Sequence, residues 1–100
     1  MKSIMQSEKE CYLCGRNGTS DPLDSHHIFN GYGLREKSEE YGLKVYLCHF
    51  NCHIYGDYAA HRSRATADFL KAEGQRAFMK EYGKTKEEFI SIFGRNYINE

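Results

Sequence analysis

Two closely spaced cysteine pairs constrain this chain more than any other feature of its sequence. Cys11 and Cys14 form a C-x2-C motif, and Cys48 and Cys52 form a C-x3-C pair. A tetrahedral zinc ion needs four ligands, and two such pairs supply four soft sulfur ligands from distant parts of the chain. The sequence therefore predicts a structural zinc site that joins the two pairs.

The composition makes a metal of this kind important for folding. Phe, Ile, Leu and Val together make up less than a fifth of the 100 residues, which predicts a single small domain with a thin core. A metal that closes the loop between the cysteine pairs would replace part of that core. Two alternatives stay open: His49 or His53 replaces one cysteine as a ligand, or the cysteines form disulfides.

The N-terminal sequence and the hydropathy bear on compartment. The first ten residues lack the apolar run of a signal peptide, and no stretch reaches the length of a membrane span. We therefore expect a cytoplasmic protein with reduced thiols and no membrane partner.

Charge excludes one class of nucleic-acid-binding protein. Basic and acidic residues number 14 each, so the formal net charge is zero and the chain is not histone-like. A local basic groove remains compatible with that balance. Arg62 and Arg64 are candidate phosphate contacts, and a solvated charged surface is the alternative for each.

All five histidines lie in the first 61 residues, and they form a second candidate site. Adjacent residues of a strand point to opposite faces, so His26 and His27 can divide two tasks, metal binding and proton acceptance near neutral pH. His53 follows the last cysteine, and Asp57 and His61 recur at helical spacing from it. Ordinary polar side chains are the alternative for each of these residues.

The spacing of apolar residues and the positions of glycine predict an α+β domain with a helical second half. The sequence predicts strands at 25–29 and 43–47 and a helical turn at 36–41 that Gly42 ends. It also predicts a helix over 67–82, which Gly74 weakens or interrupts and Gly83 ends. Thr85 and Glu88 match a capping box before a last helix, which Gly94 ends. The helical tail is expected to pack on the outside of the metal-organised front.

The combined order of these motifs resembles a known family. Cys11-x2-Cys14, then Ser25-His26-His27-Ile28, then Leu47-Cys48-x3-Cys52-His53 is similar to the zinc-containing HNH endonucleases of the His-Me finger (ββα-metal) group, over roughly residues 11 to 61. The segment 93–97 resembles the tail of small phage- and prophage-encoded HNH proteins. The resemblance implies one HNH nuclease-like domain over residues 1–100, with a zinc-stapled ββα-metal core at about 11–65 and a helical C-terminal extension at about 66–100.

The resemblance also implies roles for individual residues. His26 and His53 would bind a catalytic divalent metal, Mg²⁺, Mn²⁺ or Ni²⁺, and His27 would be the general base. The reaction would be metal-dependent phosphodiester hydrolysis of DNA, as nicking or double-strand cleavage, in the cytoplasm of a bacterial host. Phage recombination or packaging proteins would be possible partners.

The sequence departs from the family pattern at two places. The family's middle Asn, which orients the base histidine, is missing from the stretch 41–44, and a backbone carbonyl could orient His27 instead. The second cysteine pair has three intervening residues where two are usual. The extra residue would shift His53 by part of a turn, so that His61 completes the metal shell or contacts phosphate.

Two other functions compete with the nuclease. A non-catalytic zinc module that binds nucleic acid or protein needs the four cysteines but not His26, His27 and His53. A catalytically degenerate HNH adaptor would keep the scaffold without the activity.

Overall fold

The sheet consists of two antiparallel strands. In this computed structural model, which describes residues 1–98, the elements are β1 (Leu23–His27), α1 (Leu34–Tyr41), β2 (Lys44–Cys48), a π-helical segment (His49–Ile54), α2 (Arg64–Tyr82) and α3 (Lys86–Phe93). β1 pairs with β2 in a register that sets His26 opposite Val45 and His27 opposite Lys44. The α+β class is confirmed, and the end of the expected helical tail, residues 99 and 100, lies outside the described residues.

The first strand lies two residues earlier than predicted, and the reason is a buried serine. Phe29 gives its N–H to the Ser38 hydroxyl (3.0 Å), and the same hydroxyl donates to the Phe29 carbonyl (2.8 Å). The backbone N–H and carbonyl of Phe29 thus both bind a side chain of α1 and are not available to β2, so the pairing of the strands ends at His27. Gly42 ends α1 in the left-handed conformation (φ 73°), as its sequence position predicted.

Gly74 does not interrupt α2, contrary to the prediction. The helix runs without a break from Arg64 to Tyr82. A Cβ at position 74 would lie 2.9 Å from Ile28 Cγ2 and 3.3 Å from Phe29 Cε2, so the glycine lets the helix approach the residues that follow β1. The predicted capping box is confirmed, because the Thr85 hydroxyl accepts the Glu88 N–H and the Glu88 carboxylate accepts the Thr85 N–H.

The helical tail builds the core instead of packing outside it. Phe78, Phe89 and Phe93 are buried together with Phe29, whose ring centroid lies 4.8 Å from that of Phe93. The expectation of an external tail is wrong because the front half is too poor in large apolar side chains to bury Phe29 alone. Among residues 1–98, no helix combines the length and the apolar character needed to cross a membrane.

Two candidate metal centres joined at Cys52 and His53

The four cysteines lie together, as the two pairs predicted. Their sulfur atoms all lie within 4.8 Å of one another, and Cys14 Sγ is 3.7 Å from Cys48 Sγ. Cys11 and Cys14 come from a tight turn, Cys48 is the last residue of β2, and Cys52 lies in the π-helical segment. All four are free thiols, so the disulfide alternative is not realised, and neither His49 nor His53 belongs to this cluster.

The electrostatics of the sulfur cluster favour a bound cation. Burial raises the pKa of the Cys11 thiol, but the N–H groups of Cys48, Cys14 and Leu13 outweigh that effect and bring the pKa to about 7. Burial and the neighbouring thiols raise the pKa of Cys52 well above its usual value. Burial also raises the pKa of Cys48. One thiolate, that of Cys11, is therefore accessible near neutral pH, and a positive charge at the cluster would favour ionisation of Cys48 and Cys52. The four cysteines could hold a metal ion.

The π-helical segment carries the link between the cysteines and the histidines. The backbone N–H groups of Phe50 and Asn51, in its first turn, donate hydrogen bonds to the buried carboxylate of Asp21 at 2.9 and 3.0 Å. Burial raises the pKa of Asp21, but these two N–H groups outweigh it and lower the pKa overall. Nothing local in the sequence shows that the Asp21 side chain binds the start of a helical segment some thirty residues away.

A second cluster consists of three histidines. One ring nitrogen from each of His26, His53 and His61 lies within 4.8 Å of the others, and the Nε2 atoms of His53 and His61 are 3.1 Å apart. His26 comes from β1 and His53 from the π-helical segment. The His61 N–H donates to the His53 carbonyl (3.0 Å), which closes a turn between them. This cluster could also hold a metal ion.

His53 and His61 meet for a different reason from the one predicted. The expected shared helix face does not exist, because the helical segment ends at Ile54 and the chain then folds back. A Cβ at Gly56 would lie 2.0 Å from the Asn51 carbonyl oxygen, so only glycine fits in this reversal. Asp57 points away, with 90 % of its side chain exposed.

Burial favours the neutral form of two of the clustered histidines, His26 and His61. Burial, together with the nearby charges of His53 and His61, lowers the pKa of His26 to about 4. Burial and His53 also lower the pKa of His61. A neutral imidazole has an unprotonated nitrogen, which is what metal binding requires.

Asp24 supports this cluster, and the sequence analysis missed it. One oxygen, Oδ2, lies 2.6 Å from His49 Nδ1 and 2.8 Å from His53 Nδ1. A tetrahedral ion between nitrogen and oxygen would hold them about 3.3 Å apart, so the shorter distances indicate direct hydrogen bonds. The two histidines outweigh the effect of burial and lower the pKa of Asp24. The available signal was strand alternation, which sets Asp24 and His26 on one face.

His27 lies on the other face of β1, as alternation predicted. Its Nε2 is 2.9 Å from Glu39 Oε1, and 13 % of its side chain is exposed. Lys44 Nζ binds the second oxygen of the same carboxylate at 2.7 Å. The partner of this ring nitrogen is a carboxylate, whereas the sequence analysis considered a backbone carbonyl as the group that orients His27. Sequence reasoning missed Glu39.

The two candidate phosphate contacts, Arg62 and Arg64, follow His61 in the sequence, and both side chains are exposed. Arg62 donates to the Tyr55 carbonyl (2.8 Å) and lies 3.8 Å from Asp57. Arg64 begins α2, is 84 % exposed, and lies 3.8 Å from Asp68. Exposed ion pairs at this distance are weak, so both guanidinium groups can exchange their carboxylate for a phosphate.

A scan against protein-family models, a search of curated proteins and a search of solved structures each found no match.

Proposed function

We propose that this chain is a metal-dependent DNA endonuclease that hydrolyses phosphodiester bonds with His27 as general base. The observation that carries the proposal is the separation of two ligand sets. Three histidines converge apart from the four sulfur atoms, although Cys52 and His53 are consecutive residues. A module that only binds nucleic acid or protein needs the sulfur cluster and has no use for the second one.

The sulfur cluster suits zinc in a structural role. Tetrahedral zinc with Zn–S bonds of about 2.3 Å places its sulfur atoms about 3.8 Å apart, and Cys14 and Cys48 lie at 3.7 Å. Four protein ligands leave no position for water or substrate, so a zinc ion here would stabilise the fold and take no part in hydrolysis. It would also hold Cys52, and through it His53, in place.

The histidine cluster suits a catalytic divalent ion. Three protein ligands leave coordination positions open, as catalytic sites require, and His61 completes the set that His26 and His53 begin. A bound ion would supply polarisation of the scissile phosphate and stabilisation of the leaving oxygen. Among Mg²⁺, Mn²⁺ and Ni²⁺, three imidazoles favour Ni²⁺ most and Mg²⁺ least.

The remaining roles fall to three side chains. His27 accepts a proton from the attacking water, and a neutral imidazole is suited to that task near pH 7. Arg62 and Arg64 contact the phosphates that flank the cleaved bond. These arginines carry no base recognition, so we expect cleavage with little sequence preference.

Nicking of supercoiled plasmid tests the proposal. Wild-type protein and His27→Ala, purified in the same way, are incubated with Mg²⁺, Mn²⁺ or Ni²⁺ and with EDTA. We expect metal-dependent nicking by the wild type and none by the variant, with both proteins retaining one zinc per chain. Equal nicking by both would remove His27 as the base. No nicking with any metal would favour the binding module or the degenerate adaptor.

A further inference from the structure

Glu39 binds His27 and Lys44 on one face of the sheet, and its Oε2 also accepts a hydrogen bond from the Met1 amine at 2.9 Å. Its Oε1 meets His27 Nε2 at 2.9 Å, and its Oε2 meets Lys44 Nζ at 2.7 Å. His27 and Lys44 are direct neighbours across the two strands. The preceding residue, Ser38, is buried and binds both backbone groups of Phe29, which fixes this end of α1 against the end of β1.

The ionisation of Glu39 decides which His27 nitrogen carries hydrogen. Hydrogen bonds from Lys44, from the Met1 amine and from His27 lower the pKa of Glu39 well below its usual range. An ionised carboxylate can only accept hydrogen bonds. His27 Nε2 must therefore be the donor, and in the neutral ring the lone pair then lies on Nδ1.

We propose that Glu39 is the positioning residue of His27: its carboxylate holds Nε2–H and leaves Nδ1 as the nitrogen that accepts the proton of the attacking water. This inference rests on the proposed nuclease function and supplies the orienting group that the missing Asn would otherwise provide. The water O–H bond breaks and its proton goes to Nδ1. The oxygen bonds to phosphorus while the P–O3′ bond breaks, O3′ takes a proton from solvent, and His27 later returns its proton to solvent.

The test compares Glu39→Ala and Glu39→Gln with a matched control, Glu36→Gln. Glu36 is an exposed glutamate of the same helix, so this control removes the same charge without touching His27. Turnover of a DNA oligonucleotide, KM, and Ni²⁺ affinity by calorimetry are measured for zinc-loaded proteins. Imidazole ¹⁵N spectra of the same samples report which ring nitrogen of His27 is protonated.

Glu39→Ala should lower kcat by about 10- to 100-fold, if the carboxylate orients His27 as strongly as outer carboxylates orient metal-binding histidines. KM and Ni²⁺ affinity should stay within about twofold of the control, since the hydrogen bonds of Glu39 go to His27, Lys44 and the Met1 amine and to none of the metal ligands. Glu39→Gln should lose less, because its amide oxygen still accepts from Nε2–H. In the spectra, the wild type and Glu36→Gln should show the Nε2–H form, and Glu39→Ala a mixture of both forms.

The inference is overturned if Glu39→Ala matches Glu36→Gln in kcat, or if the His27 ring keeps one protonated form without the carboxylate. A parallel fall in Ni²⁺ affinity would also overturn it, because Glu39 would then act on the metal site through the fold. If the wild type cleaves no DNA, the proposed function fails by itself. The spectra still show in that case whether Glu39 sets the protonated nitrogen of His27.

Discussion

Replacement of Asp24 by alanine should weaken metal binding at the histidine cluster without removing any metal ligand. Asp24 accepts the Nδ1–H of His53 at 2.8 Å, which leaves the Nε2 of that ring for the ion beside His61. Histidine ligands typically donate their second nitrogen to a carboxylate, which orients the ring and raises its basicity. Without Asp24, His53 can rotate or exchange its protonated nitrogen.

The magnitude follows from one hydrogen bond. A bond to a charged acceptor contributes about 1.5 to 3 kcal/mol, and the Asp24 side chain is 32 % exposed, so screening favours the lower half of that range. A loss of about 1.5 to 2 kcal/mol corresponds to a 10- to 30-fold weaker Kd. Calorimetric titration of Ni²⁺ into zinc-loaded protein measures this change directly.

Two control variants make the result decisive. Asp57→Ala removes an aspartate from the same region that is 90 % exposed, and its Kd should equal that of the wild type. His49→Ala removes the other histidine on Asp24 and should change Kd less than about threefold. An Asp24→Ala protein that binds Ni²⁺ like Asp57→Ala would refute the reasoning. If His49→Ala binds Ni²⁺ as weakly as Asp24→Ala does, the ligands are Asp24, His49 and His53 instead.

Three further predictions concern stability. Cys14→Ser should abolish the bound zinc, measured by metal analysis, and lower Tm by at least about 10 °C, because loss of the metal removes 2 kcal/mol or more; a folded, zinc-free variant would contradict this. With the histidine cluster unloaded, unfolding free energy should fall as pH drops from 6.5 to 4, since the pKa of His26 is about 4 when folded and 6.5 when unfolded. His26→Gln should reduce the loss of unfolding free energy over this pH range by about 3 kcal/mol. Parallel pH curves for the wild type and the variant would contradict this. Gly74→Ala should cost about 1 kcal/mol in urea unfolding, because the clash with Ile28 exceeds the gain in helix propensity; a more stable variant would show that the clash relaxes.

Local signals predicted the elements whose ends are set by local chemistry. The Thr85 capping box and the glycines that end α1 and α2 depend on residues within one turn, and the structure has them as the sequence indicated. The prediction set β1 two residues too late along the chain, because the last residue of the strand depends on Ser38, which binds Phe29 from another element. The role of Gly74 was likewise set by a distant contact.

The same distinction between local and distant contacts applies to the candidate site. Residue type and spacing were enough to predict that the four cysteines lie together, since cysteine is uncommon and its thiolate is a metal ligand, whereas the grouping of His26 with His53 was expected from the family resemblance. The carboxylates that support the histidines were missed, because Asp24 and Glu39 are ordinary acidic residues until folding places them 2.8 to 2.9 Å from a ring nitrogen. The sequence contains many such residues, and none is distinguished by its neighbours.

The three residues between Cys48 and Cys52 lie in the π-helical segment. A π-helix closes its hydrogen bonds over five residues, one more than an α-helix, and the Tyr55 N–H accordingly bonds to the Phe50 carbonyl at 2.9 Å. Within this wider turn Cys52 reaches the other three sulfurs while His53 reaches His26 and His61. One peptide bond therefore joins the two clusters. Zinc at the cysteines would fix the position of His53, so removal of that zinc should also weaken metal binding at the histidines.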